Sequence, residues 1–244
     1  MLLADVVATS ERVGSTRSRK AKTAALAELL AAMDSVETGI GVAYLAGELP
    51  QGRIGLGYAA VYAVDFPPAA DPSLTLLQVD AVLTEIASIS GAGSKAARHE
   101  TLTDLLAQAT EPEQTFLRRL ILRELRQGAL EGVMVEAIAV ASDVPVAEVR
   151  RAAMVGGELP AVAIAAREGG AAALAEFRLT LFRPVQPMLA QPATDVADAM
   201  AKVSPAAAEY KLDGARIQVH RNDDRVAVYT RNLRDVTAAV PEVV

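Results

Sequence analysis

Two hydrophobic periods divide this chain, and they cannot belong to one kind of layer. Up to about Phe177 the apolar residues recur three and four apart; beyond it they alternate or stand between prolines. Ala25, Leu26, Leu29, Leu30 and Met33 form one helical stripe. A helix is expected over residues 74–89 with Ser73 as its cap. Another follows Gly91, Ala92 and Gly93, capped by Ser94 and carrying Leu102, Leu105 and Leu106. Thr110, Glu111, Pro112 and Glu113 combine a capping box with a first-turn proline. The helix they open is expected to reach Gln127, with Gly128 as its stop. Shorter helices are expected over 143–155, 158–167 and 171–177.

Residues 179–184 read as extended, and prolines recur at 187, 192 and 205. This places a boundary between a helical domain, residues 1–178, and a mixed α/β segment, residues 179–244. The second part has about 60 residues, too few for a good core by itself. It ends without a boundary signal, so a truncated or incomplete chain is expected. Within it, residues 215–221 alternate, with Ile217 and Val219 on one side and Arg216, Gln218 and His220 on the other. Asn222, Asp223 and Asp224 supply turn chemistry, and residues 225–231 read as the returning strand. Residues 231–237 form a polar loop that can open a helix.

Composition narrows the class. Hydrophobic residues make up 52% and aromatics 4%, a mix that favours closely packed helices. There is no cysteine, which excludes disulfides and Cys-ligated metal sites and fits a reducing, cytoplasmic setting. The N-terminus lacks a basic n-region and meets Asp5, unlike a secretory signal. Glu131 and Glu136 interrupt the apolar stretch 129–141, so no membrane span is expected. The net charge is −6, with 17 basic against 22 acidic residues up to Arg183 and 7 against 8 beyond it. Any nucleic-acid binding must therefore rest on local patches.

The chemistry-bearing stretch runs Glu209, Tyr210, Lys211, Leu212, Asp213, Gly214, Ala215, Arg216. A lysine beside a turn, with an arginine five residues on, is by itself more often a surface cation than a nucleophile. With the hairpin and the run Arg231, Asn232, Leu233, Arg234, Asp235, Val236, Thr237, it resembles the start of the nucleotidyltransferase domain of ATP-dependent DNA ligases. The approach 183–190 resembles the segment where that domain begins. Gly47, Glu48 and Leu49 with residues 51–57, and residues 124–132, are similar to elements of the helical DNA-binding domain that precedes it in the larger ligases. The implied fold is a mainly α DNA-binding domain followed by the first part of an α/β, ATP-grasp-like ligase domain. The later motifs and the C-terminal oligonucleotide-binding barrel are absent, so these residues alone are expected to be catalytically incomplete.

The resemblance implies that Lys211 captures AMP from ATP as a phosphoramidate and passes it to a DNA nick, with Mg²⁺ as cofactor. It implies nucleotide contacts from Arg216 and Arg231. It implies one from Glu209 too, which otherwise reads as a plain strand-end acid. Asp213 and Gly214 shape the turn; Asn232 and Arg234 are weaker contact candidates. Implied partners are ATP and nicked double-stranded DNA, with a monomeric protein serving repair, replication and recombination on the nucleoid. Other readings are an RNA ligase or mRNA-capping-type nucleotidyltransferase, and a DNA-binding module without catalysis.

Basic residues offer backbone contacts. Arg118, Arg119, Arg123 and Arg126 fall within about 140° on a helical wheel, followed by Gln127 and Gly128. Gly93, Ser94, Lys95 and Arg98 suggest an anion site at a helix start. Arg12, Arg17, Arg19, Lys20 and Lys22 read equally well as a solvated helix start. The glycines of residues 52–57 have the wrong order for a dinucleotide loop, and no βαβ unit surrounds them. His99 and His220 do not make a metal triad, and no Ser-His-Asp spacing is present.

Overall fold

The structure is a computed structural model. It describes residues 1–125, 131–156, 158–187, 192–203, 205–207, 209–210 and 213–244. Two compact units appear: Met1–Ala153 with Glu158–Phe177, and Met154–Gly157 with Arg178–Val244.

The first unit is helical: α1 (Leu3–Ser15), α2 (Arg19–Ala32), α3 (Ser35–Leu45), α4 (Tyr58–Tyr62), α5 (Leu76–Ser88), α6 (Ser94–Ala107), α7 (Glu111–Ile121), α8 (Glu131–Ala141), α9 (Val146–Gly156) and α10 (Leu159–Ala175). The last residues of α9, from Met154, fall to the second unit. The predicted stripe on α2 is buried throughout, and α2 packs on α8. Helix α10 packs on α3, where a Cβ on Gly39 would lie 2.8 Å from Ile164 Cδ1. Tyr44 is fully buried and donates to Asp80 Oδ1 at 3.2 Å. Burial holds its phenol well above the ordinary tyrosine range, and the Asp80 charge adds to this.

Caps explain the helix starts. At α7 the Glu113 carboxylate accepts from Thr110 N–H at 2.8 Å and from Thr110 Oγ1–H at 2.7 Å. For α5 the cap is Thr75 with Gln78, two residues past the expected Ser73. At α6 the cap position is Gly93, at φ 80, and Ser94 is the first helical residue.

Helix ends depart further from expectation. Helix α7 stops at Ile121, short of Gln127. Arg123 takes φ 57, its N–H donates to Leu120 C=O at 3.0 Å, and Glu124 N–H donates to Arg119 C=O at 2.7 Å. This is a Schellman closure with arginine where glycine is usual. Helix α8 ends the same way: Asp143 takes φ 52 and Val144 N–H reaches Ala139 C=O at 3.0 Å. The helix expected from 143 therefore begins at Val146. The two helices expected over 158–177 form one element, kinked at Gly170 (φ 57, ψ −145).

The second unit holds α11 (Val196–Lys202) and a hairpin of β1 (Ile217–Asn222) and β2 (Arg225–Thr230), joined by Asp223 and Asp224. Its buried residues include Ala227, Val228 and Tyr229. The alternation on β1 holds, with the apolar residues on the open side: Ile217 and Val219 are 39% and 48% exposed, while Gln218 and His220 are half-buried. The cause is a neighbour with open backbone groups. Gln218 exchanges two hydrogen bonds with Val185, and His220 Nδ1 accepts from Phe182 N–H at 3.0 Å. Tyr229 Oη donates to Phe182 C=O at 2.8 Å. Polar side chains are required where the docked segment brings unpaired N–H and C=O groups.

Candidate nucleotide site and nucleic-acid interface

The hairpin register pairs Ile217 with Thr230, so Arg216 and Arg231 lie just past the last pair, at the end of the ladder away from the Asp223–Asp224 turn. Both are exposed, and neither makes an ion pair among the described residues. Glu209, Asp213, Gly214, Asn232 and Arg234 are exposed too. Lys211, the predicted nucleophile, lies outside the described residues.

Residues 231–234 reverse the chain and do not open an α-helix. Thr230 N–H donates to Arg234 C=O at 2.9 Å, Leu233 takes φ 60, and Val236 N–H donates to Val228 C=O at 2.8 Å. The returning segment lies along the free edge of β2, and only a short 3₁₀ turn, Thr237–Ala239, follows. Asp235 fixes this return by accepting from Thr237 Oγ1–H at 2.6 Å and Thr237 N–H at 2.9 Å. Those bonds hold its carboxyl below the ordinary aspartate range, with a smaller contribution from the Arg225 charge. The guanidinium of Arg225 stacks over Phe182, 3.8 Å from the ring centroid. Arg216 and Arg231 are thus presented by a hairpin whose β1 side chains bond Phe182 and Val185 and whose β2 edge is bonded by the returning segment, an arrangement suited to gripping phosphate or carboxylate oxygens.

In the first unit, Gly93 and Lys95 are exposed and Ser94 half-exposed at the start of α6. Arg98 turns inward: Nη2 donates to Ile89 C=O, and Nε lies 3.4 Å from Ile86 C=O. Those carbonyls engage the guanidinium expected to face phosphate. Arg118 is likewise engaged, donating to Val64 C=O at 3.1 Å. Arg119 and Arg123 remain exposed, but the Schellman turn takes Arg123 off the helical stripe. Arg126, Gln127 and Gly128 lie outside the described residues. In the N-terminal basic run, Arg12 pairs with Glu28 at 3.0 Å and Arg19 with Glu136 at 2.7 Å, so these two follow the solvated-helix reading.

Sequence reasoning missed the polar couplings. Gln218 and His220 gave no signal beyond strand alternation. Gln51 belongs to a cluster with Tyr44, Asp80 and Thr84 that no local pattern announces. Among the described residues no group of three or more His, Cys, Asp or Glu can hold a metal ion. Nor is any described helix long and apolar enough to cross a membrane.

The chain thus runs from a helical unit to a hairpin flanked by two exposed arginines that make no ion pair among the described residues. Residues 56–139 match the family described as DNA ligase N terminus, and residues 187–244 the family described as ATP dependent DNA ligase domain. A "Probable DNA ligase" of Nocardia farcinica (strain IFM 10152) is 58% identical over 245 residues, all of this chain and 47% of the relative. One from Rhodococcus opacus (strain B4) is 52% identical over 245 residues, all of this chain and 49% of the relative. One from Saccharopolyspora erythraea is 54% identical over 244 residues, covering 48% of the relative. The chain belongs to the ATP-dependent DNA ligase family. It spans about half the length of the curated relatives it matches.

Proposed function

We propose that this chain serves an ATP-dependent DNA ligase, with residues 1–178 gripping nicked duplex DNA and residues 179–244 beginning the adenylation domain. The observation that carries the reading is the pair Arg216 and Arg231, without an ion-pair partner among the described residues, flanking one end of the hairpin, with Arg216 five residues from Lys211 in sequence. Both family matches support it.

In this reading the unprotonated Lys211 amine attacks the α-phosphorus of ATP. A P–N bond forms, the P–O bond to pyrophosphate breaks, and the amine loses a proton. Arg216 and Arg231 hold phosphate oxygens as charge shifts to the leaving group, and Glu209 accepts hydrogen bonds from the nucleotide. The adenylyl group passes to the 5′-phosphate at a nick. The 3′-hydroxyl then attacks that phosphate, sealing the strand and releasing AMP. Mg²⁺, brought with the nucleotide's phosphates, would neutralise part of their charge. On this reading the protein acts as a monomer on nucleoid DNA in the cytoplasm.

The test is a chimera in which residues 1–244 replace the matching half of the Nocardia relative. Incubated with ATP radiolabelled at the α-phosphate, it is expected to carry acid-labile label that Lys211→Ala removes. Label from GTP in place of ATP would assign a capping-type enzyme. No label from either nucleotide, with nicked duplex still bound, would leave a DNA-binding module.

A further inference from the structure

We propose that the loop 52–57 and the turn 121–123 form a phosphodiester cradle for the duplex backbone, distinct from the basic positions the sequence suggested at residues 93–98. The proposal rests on the DNA-ligase reading and specifies how this unit holds its DNA. The two segments line a groove of about 370 Å³. Arg53 and Arg123 are exposed on its walls, and the lining contains neither a carboxylate nor an aromatic ring.

The loop is fixed from beneath. Leu49 and Ile54 are buried. Gln51 Nε2 donates to Asp80 Oδ1 at 2.8 Å and to Thr84 Oγ1 at 2.9 Å, both on α5. Gly52 and Gly55 take φ 70 and φ 74. A Cβ on Gly55 would lie 2.8 Å from Arg98 Cζ, so the inward guanidinium occupies the space that glycine leaves. Arg98 is thus a positioning residue: held by the carbonyls of Ile86 and Ile89, its guanidinium packs against Gly55 and keeps a positive charge beside the loop.

What the loop leaves open is a run of donors. Among the described residues, the N–H groups of Arg53, Ile54, Gly55, Leu56 and Gly57 donate to no acceptor. Successive free amides around left-handed glycines, beside cations, make an anion-binding concavity. Apolar side chains from Leu56, Ile121 and Leu122 complete the lining. With no ring to stack on a base and no carboxylate to repel phosphate, the groove suits the sugar–phosphate backbone and ignores sequence.

The test uses the ¹⁵N-labelled chain with three variants: Arg53→Gln, Arg123→Gly and Arg53→Gln/Arg123→Gly. Arg123→Gly removes the charge while placing glycine where φ is positive, so it keeps the fold. The amide signals of residues 53–57 are expected to shift with nicked duplex and, more weakly, with inorganic phosphate. Each single substitution should lower the slope of log affinity against log salt by about 0.9. Folded variants with an unchanged slope, or amides 53–57 that stay unmoved while duplex binds, would overturn the cradle and leave the ligase reading intact. Amides that move with inorganic phosphate in a chain that binds no duplex would keep an anion site but sink the DNA reading and the cradle's assignment. Shifts with neither probe would overturn the cradle on its own.

Discussion

Val185 and Gln218 exchange a complete pair of hydrogen bonds: Val185 N–H donates to Gln218 Oε1 at 2.9 Å, and Gln218 Nε2 donates to Val185 C=O at 2.6 Å. A side-chain amide thus stands in for a neighbouring strand. Gln218→Ala leaves both backbone groups unpaired and is expected to cost about 1–2 kcal/mol. Urea unfolding reads the loss, and hydrogen exchange at the Val185 amide should quicken specifically. Unchanged exchange there would show that the pair does not hold the segment.

Gly55 and Arg98 are coupled through space that only glycine leaves. Gly55→Ala is expected to cost about 1–2 kcal/mol from its left-handed backbone alone, and more from the close approach to Arg98. Arg98→Ala in the same chain should recover the steric part but not the backbone part. Thermal unfolding of the double-mutant cycle separates the two; strict additivity would rule out the contact.

Arg123 and Asp143 end α7 and α8 in a conformation costly for residues with a Cβ. Arg123→Gly is expected to stabilise the fold by about 0.5–1 kcal/mol, the relief of strain exceeding glycine's extra entropy in the unfolded chain. Arg123→Ala keeps the Cβ and should give no such gain. Equal melting temperatures for the two variants would count against strain at this position.

Arg19 reaches Glu136 through both Nε, at 3.1 Å, and Nη2, at 2.7 Å. The bonds from Arg19 hold the Glu136 carboxyl below the ordinary glutamate range, and Thr23 Oγ1 adds to this. A depressed folded-state value gives stability that is fully present above the unfolded carboxylate range and lost as pH falls through the folded value. The pair is partly exposed, so the contribution is about 0.5–1 kcal/mol. Glu136→Gln should lower stability by that amount at neutral pH and leave it unchanged at strongly acidic pH. Equal losses at both would assign the effect to packing.

In the chimera with the Nocardia relative, Arg216→Ala or Arg231→Ala is expected to slow AMP capture about tenfold to a hundredfold, the worth of a charge-assisted hydrogen bond. Lysine at either position should restore only part, since it lacks the bidentate fork. Single-turnover labelling measures both. Full rates in the alanine variants would remove the arginines from the nucleotide site.

Much of this was legible because it is local. The stripe on α2, the Thr110–Glu113 capping box and the Asp223–Asp224 hairpin each depend on residues a few positions apart. The run from Glu209 to Thr237 carried its family resemblance in the same local way, though Lys211 itself falls outside the described residues.

The remainder was decided in three dimensions, where partners are far apart in sequence. Strand alternation separated Ile217 and Val219 from Gln218 and His220 without saying which side is buried; the docked backbone of residues 182–185 drew Gln218 and His220 inward. Helical spacing extended α7 to Gln127, yet a left-handed arginine ended it at Ile121. Arg98 read as a phosphate ligand until the carbonyls of Ile86 and Ile89 claimed it. Sequence fixes periodicity and caps through near-neighbour geometry. Which polar group must be buried depends on what the fold lays against it, and an unpaired backbone group costs more than an exposed valine.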